Sequence, residues 1–419
     1  MISSRLAALG SPAELIRAAS PLGIGAAPNH NSHIHLPPNF SAFANTAQAV
    51  GMAADEGCVL LGASNYYDYE VYAELAAAGA DAGVYPLFGL EILCRDEAMA
   101  AAGVKVNDPG NPGKVYLCGK AITRFERPDA ATQAILDIIR RTDGARMAAM
   151  VRQCVAALAE RGLRLDLDAD KVIDQVVTRH GSPRHTVHLQ ERHVAQALQE
   201  ALFAAIPAAE RSARLTTLLG AAPKLKGPDD AVGLQNEVRS HLMKAGKPGF
   251  VAESYISLDQ AKQLALGLGG IPCYPVVADG VKPISLFEAD AATLAANLQK
   301  LGIHACEFIP PRNAPEVLEA FVTGLRALGV LVTCGTEHNT RDLIPVQPAC
   351  TGQAPMPAVV RAIAWEGACV CAGHQQAVAS GADGYVLADG RLNPSFPSVD
   401  ACIAHFASIG AEAIIRWRR

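Results

Sequence analysis

Apolar residues along this chain alternate between two spacings. "CVLLGAS" (58–64), "YPLFGLEILC" (85–94) and "IPCYPVVA" (271–278) are short continuous apolar runs of the kind that form buried strands. "FANTAQAVGMAADEG" (43–57) and "YEVYAELAAAGADAG" (69–83) have the three-and-four spacing of helices. The leading "SPAELIRAA" (11–19) carries Ser11 as N-cap, Pro12 at the first helical position and Glu14 three residues after the cap, which predicts a short capped helix. "HIHL" (33–36) reads as the first strand.

The alternation breaks at "NDPGNPGK" (107–114), which is turn material. From 128 to 250 helical spacing dominates, in "AAMVRQCVAALAERG", "DADKVIDQVVTRHG", "LQERHVAQALQEALFAA" and "DDAVGLQNEVRSHLMKAG". That is far longer than an ordinary connection and reads as a helical insertion. The rhythm then resumes with a helix at 257–270, the strand 271–278, the helix "DAATLAANLQKLG", the strand "IHACEFIP" (303–310), a helix at 314–329 and the strand "VLVTCGTEH" (330–338). Strands alternating with helices imply parallel βαβ units. The pattern predicts an α/β chain folded as a distorted parallel barrel of seven or eight units, with an open doubly wound sheet as the alternative. Residues 1–127 form its first part, 128–250 the insertion, and 251–419 its second part with C-terminal helices.

Composition narrows the class. Half of the 419 residues are hydrophobic but only 5% are aromatic, so Ala, Val, Leu and Ile must fill the core. A net charge of −5 gives no nucleic-acid footprint. No 18-residue uncharged apolar run suggests a membrane span, and no basic segment followed by an apolar run suggests a secretory leader. The eleven cysteines are irregularly spaced, and most lie in apolar runs. "CVC" (369–371) is not a CxxC pair, so the thiols read as reduced core residues. The expectation is a cytoplasmic protein acting on a small molecule, with neither nucleic acid nor membrane as partner. Composition leaves the oligomeric state open.

In a parallel barrel, side chains converge at the C-terminal ends of the strands. Polar residues recur there: His33 and His35, then Asn65, Tyr66 and Asp68, then Glu91, Tyr274 and Asp279, Glu307 and Arg312, and finally Glu337 and His338. His33 and His35 are two apart, so a strand places them on one side. Two neutral imidazoles on one face are a natural start for a divalent metal site, which Glu91 and Glu337 from other strands would complete. The plainer reading is a hydrogen-bonded polar strand end.

These residues resemble the polymerase and histidinol phosphatase (PHP) superfamily. "SHIHL" is similar to its HxH motif and "FGLEI" to its third motif, and the βαβ stretch ending in "GTEHNT" resembles its late unit. The likeness covers about 29–94 and 257–345. "TVHLQERHVAQAL" (186–198) also resembles a segment of PHP-domain proteins that share "GTEHNT", which implies that His193 faces the site. The resemblance implies a metal-dependent phosphoesterase whose ligands are drawn from His33, His35, Glu91, His193, Glu337 and His338. It implies one or two divalent ions (Zn, Mn or Fe) and a small anionic substrate. Three motifs depart from the family. "GASNYYD" has Asn65 and Tyr66 for the usual Asp-His, Tyr274 stands for a histidine, and "GTEHN" has Glu337 for Asp with His338 displaced by one. Asn65, Tyr66 and Tyr274 would then give their space to substrate, and fewer metals than the family's three would bind.

Metal at such a site polarises an ester oxygen and activates water. Tyr66 and Tyr274 are the candidate proton donors, Asp279 a further catalytic candidate, and Arg312 a bidentate anchor for phosphate or carboxylate. Two further readings stand beside the hydrolase. One is a PHP-derived domain that binds an anion without catalysis, and the other is a lyase or isomerase using the same mouth. Other motifs weigh little. "GNPGK" lacks P-loop spacing, "GLGGIP" precedes a strand instead of following one, and no Gly-x-Ser-x-Gly elbow occurs. His180, His185, His188 and His374 read as solvated or core-edge histidines.

Overall fold

In the computed structural model, which describes residues 2–19 and 27–419, the apolar runs assemble into one sheet. Its strands are β1 (Asn29–Ile34), β2 (Cys58–Asn65), β3 (Tyr85–Arg95), β4 (Lys114–Lys120), β5 (Ile256–Ser257), β6 (Ile271–Val276), β7 (Ala305–Phe308) and β8 (Leu331–Cys334). They lie in the order β1-β2-β3-β4-β6-β7-β8, with β5 beside β3. Every ladder is parallel except those of β4, which runs antiparallel to both β3 and β6. A parallel bridge from Ile34 to Glu337, just past β8, brings the last strand back to the first. The sheet is therefore a nearly closed, mostly parallel barrel, the fold class that the βα rhythm predicts.

Local chemistry explains the helices. Ser11 and Glu14 form the expected capping box, with Pro12 opening the helix Pro12–Ala18. Asn45, Ser257, Asp290 and Ser398 each cap a later helix by accepting from a backbone N–H three residues on. β2 is buried along its whole length, as expected of a strand covered on both faces. Two glycines set how closely β1 is approached. A Cβ at Gly62 would lie 2.4 Å from the Ser32 carbonyl oxygen, and one at Gly335 would lie 2.3 Å from the His33 Cβ. Neither neighbour tolerates a side chain there.

The boundaries differ from the spacing in instructive ways. β1 begins at Asn29, ahead of "HIHL", and ends at Ile34, so His35 lies just outside it. β8 ends at Cys334, which leaves "GTEH" as loop. β4 was not foreseen. Its sequence "KVYLCGK" is a short apolar run beside a Pro/Gly-rich turn, and that bounded run was the available signal.

By its contacts the chain divides into two compact units: Met1–Leu36, Asn45–Leu136 and Tyr255–Arg419 form one, Pro37–Ala44 and Asp137–Ser254 the other. The barrel belongs to the first. The second is helical, with a core that includes Met150, Val151, Leu158, Val194, Leu198 and Leu234. Within it Glu191 pairs with Arg146 at 2.6 Å and Lys244 at 3.1 Å. No helix among the described residues is long and apolar enough to cross a membrane. The cysteines are buried and unpaired, and burial pushes thiols such as Cys154 up to about 12.

Gly335→Ala is expected to destabilise the protein by about 1–3 kcal/mol, because the new methyl group has no space against β1. Urea unfolding checks this. A second expectation concerns acid. Burial alone would raise the Glu191 carboxyl, but Lys244 and Arg146 outweigh it and hold it at about 2. A depressed folded value means stability that is present above the unfolded value and lost as pH falls. Glu191→Gln should therefore remove part of the stability loss that the native protein shows between about pH 5 and pH 2, read from denaturation midpoints across that range.

Candidate metal centre

Three buried donor atoms converge inside the barrel. β1 presents His33, the residue just past β1 is His35, and β3 presents Glu91. His33 Nε2 lies 3.4 Å from His35 Nε2, and Glu91 Oε2 lies 3.5 Å from the first and 3.2 Å from the second. Donors held tetrahedrally at about 2.0–2.1 Å from one ion stand about 3.3–3.4 Å from each other. The three measured separations match one face of such a sphere. Two imidazoles and a carboxylate, all out of water, form a donor set that a divalent cation fits.

The carboxylate is aimed by its second oxygen. The Tyr66 hydroxyl donates to Glu91 Oε1, and Oε2 is directed at the imidazoles. The Tyr66 ring stacks on His35 with centroids 5.4 Å apart and planes 6° from parallel. Burial and then the Glu91 charge push the Tyr66 phenol well above its usual range, so it keeps its proton. Burial would also raise Glu91, but His35, His33 and Tyr66 outweigh it and leave the carboxyl lowered. Cys118 stands opposite Glu91 in the β3–β4 ladder, and the donor atoms of His33, Glu91 and Cys118 all lie within 4.8 Å of one another. Burial pushes its thiol far up.

Beneath the donors lies a charged pair. Glu307 on β7 places Oε1 2.9 Å from His33 Nδ1 and Oε2 2.6 Å from Lys120 Nζ. Lys120, the last residue of β4, also donates to the Ser32 carbonyl at 3.2 Å and to Ser64 Oγ at 3.4 Å. Burial pulls both groups toward neutrality. His33 and Lys120 nevertheless hold Glu307 well below the carboxylate range, and Glu307 raises Lys120. Sequence reasoning noted Glu307 without a role and missed Lys120 altogether, because β4 was unseen.

The remaining candidates have other partners. Glu337 has a left-handed backbone (φ 63°), its carbonyl accepts from His35 N at 2.7 Å, and its carboxylate pairs with the exposed Arg312 and accepts from Asn339 Nδ2 at 2.6 Å. His338, also left-handed, sets Nδ1 2.7 Å from Thr336 Oγ1 and Nε2 3.0 Å from the Ile344 carbonyl. Tyr274 is fully buried and donates to Glu288 Oε1 at 2.7 Å. Asp279 accepts from Asn313 Nδ2 and from Ala314 N. The Asn65 amide bonds Leu36 through both its atoms, at 2.9 Å each. Asn65 and Tyr274, expected to give their space to substrate, thus each have hydrogen-bond partners near a strand end. His193 lies in the helical unit, where Gln190 N donates to its Nδ1 at 3.0 Å and Phe40 packs on its ring; burial lowers it to about 3.

No protein-family model matches this chain, and no curated protein matches it in sequence. Solved structures do share its fold. An amidohydrolase from Chromobacterium violaceum, whose structure holds sulfate and no metal, aligns with a TM-score of 0.50 at 19% identity, covering 77% of this chain and 93% of its own. A protein from Bifidobacterium adolescentis, named as a candidate metal-dependent phosphoesterase, aligns with a TM-score of 0.53 at 16% identity, covering 82% of this chain and 96% of its own. At these identities the likeness is one of fold.

Tyr66→Phe should leave Glu91 Oε1 without its donor and lower stability by about 1–3 kcal/mol. Thermal and urea unfolding of the metal-free protein check this, and an unchanged midpoint would show that the phenol does not hold Glu91.

Proposed function

We propose that this chain is a metal-dependent hydrolase acting on a small anionic molecule, with a phosphate ester as the substrate class. The observation that carries the reading is the convergence of His33 Nε2, His35 Nε2 and Glu91 Oε2 at 3.2–3.5 Å. The PHP-like motifs "SHIHL" and "FGLEI", which supply these residues, and a fold like that of an amidohydrolase and a candidate phosphoesterase support it. Three ligands with an open fourth position are the usual arrangement of a catalytic site.

His33, His35 and Glu91 would hold one divalent ion, Zn, Mn or Fe. When bound, such an ion activates water and polarises the ester oxygen. The chain's own groups do the rest. Tyr66 fixes Glu91, and its raised phenol makes it an orienting donor instead of a proton source. Arg312 is the group for the anion: its guanidinium is exposed, and its pairing with Glu337 leaves other N–H donors for a phosphate oxygen.

Elemental analysis of purified protein should find roughly one such ion per chain. His33→Ala with His35→Ala should remove it while circular dichroism shows the fold retained. Metal-loaded protein should release phosphate from phosphomonoesters and place ¹⁸O from labelled water in it. Unchanged metal in a folded double variant would refute the ligands. Metal binding with no ester hydrolysis would refute the hydrolase and leave an anion-binding domain.

A further inference from the structure

We propose that Glu307 and Lys120 are positioning residues for His33, holding its imidazole in the form protonated on Nδ1 so that the Nε2 lone pair faces His35 and Glu91. This rests on the reading of those three residues as metal ligands. An ionised carboxylate can only accept, so the 2.9 Å contact makes His33 Nδ1 the donor. A neutral imidazole with its proton there has its acceptor at Nε2, the atom 3.4 Å from His35 and 3.5 Å from Glu91. The opposite form would put a hydrogen where the ion belongs. A carboxylate behind a ligating histidine sets both the tautomer and the ring orientation.

Lys120 makes that carboxylate possible. Glu307 has no exposed surface and Lys120 has 1%, so a lone negative charge there would be heavily penalised. The ammonium balances it at 2.6 Å and is itself held by the Ser32 carbonyl, one residue before His33, and by Ser64. Mere support of the barrel floor does not explain the pair. Apolar side chains of similar volume commonly serve a buried ion pair's structural role as well or better. Leucine and methionine at these positions would fill the space but would leave His33 free to choose its tautomer.

The test pairs a metal readout with one that needs no metal. Metal-free native protein is examined by ¹⁵N NMR of its histidine rings, with His33 identified by its substitution. Zn(II) affinity is measured by chelator competition, and stability by urea unfolding. We expect His33 to carry its proton on Nδ1. The double variant Lys120→Met, Glu307→Leu should unfold at a midpoint close to native. It should lose the tautomer preference and bind Zn(II) about 10–100-fold more weakly. Native Zn(II) affinity in that folded variant would overturn the proposal, because a purely structural pair predicts affinity that follows stability. Should the double variant not fold, the neutral pair Lys120→Gln, Glu307→Gln decides, since it leaves no unpaired charge and an amide can donate to Nδ1 or accept from it: about 10-fold weaker Zn(II) binding at near-native stability upholds the proposal, and native affinity overturns it. Native protein that binds no Zn(II) would refute the metal reading. Positioning would then stand or fall on whether His33 carries its proton on Nδ1 in the metal-free protein.

Discussion

A carboxylate with no exposed surface sits between an imidazole and an ammonium inside the barrel, and much of the structure is arranged around satisfying it. Glu307 comes from β7, His33 from β1 and Lys120 from β4, so the three meet only because the sheet nearly closes. Each of the two charges alone would be intolerable at that depth, and together they cancel. Lys120 also bonds β1 and β2 through Ser32 and Ser64, so one ammonium ties four strands across the interior. The glycines at 62 and 335 let neighbouring backbone come close enough to β1 to keep His33 over Glu307.

The antiparallel direction of β4 matters to this arrangement. Its ladder pairs Glu91 with Cys118 and Gly89 with Lys120, so alternate residues of both strands face the interior together. Cys118 then lies level with the donor atoms and Lys120 one step below. The same barrel thus carries a layer of imidazole, carboxylate and thiol groups over a layer of compensated charge.

Backbone strain marks where the chain leaves the barrel. Tyr67, Ala121, Ala278, Glu337 and His338 all have positive φ, and each lies just beyond a strand. These are unfavourable conformations for residues with side chains, and they persist because surrounding bonds fix them. His338 is held through both ring nitrogens, and the loop after β6 is held by Glu288, which accepts from Tyr274, Val277 and Ala278. Polar residues past the strand ends thus divide into two kinds. Some face the donor cluster, as His35 and Tyr66 do, and others are spent on making the turn.

The amino-acid sequence by itself determined the βα rhythm, the helical stretch that interrupts it and the caps at helix starts, because these depend on neighbours along the chain. It also pointed to His33, His35 and Glu91, since an HxH on a strand and a carboxylate near the end of another are local patterns. It could not separate Glu91 from Glu337, or Tyr66 from Tyr274, because strand-end polar residues look alike until their partners are known. Only the tertiary structure decided that Glu91 meets the imidazoles while Glu337 meets Arg312, and that Tyr274 is committed to Glu288. It alone revealed Lys120, a lysine in a short run that spacing left unassigned. The physical reason is that a buried charge is stable only beside its complement, and the complement of Lys120 lies 187 residues further along the chain, at Glu307.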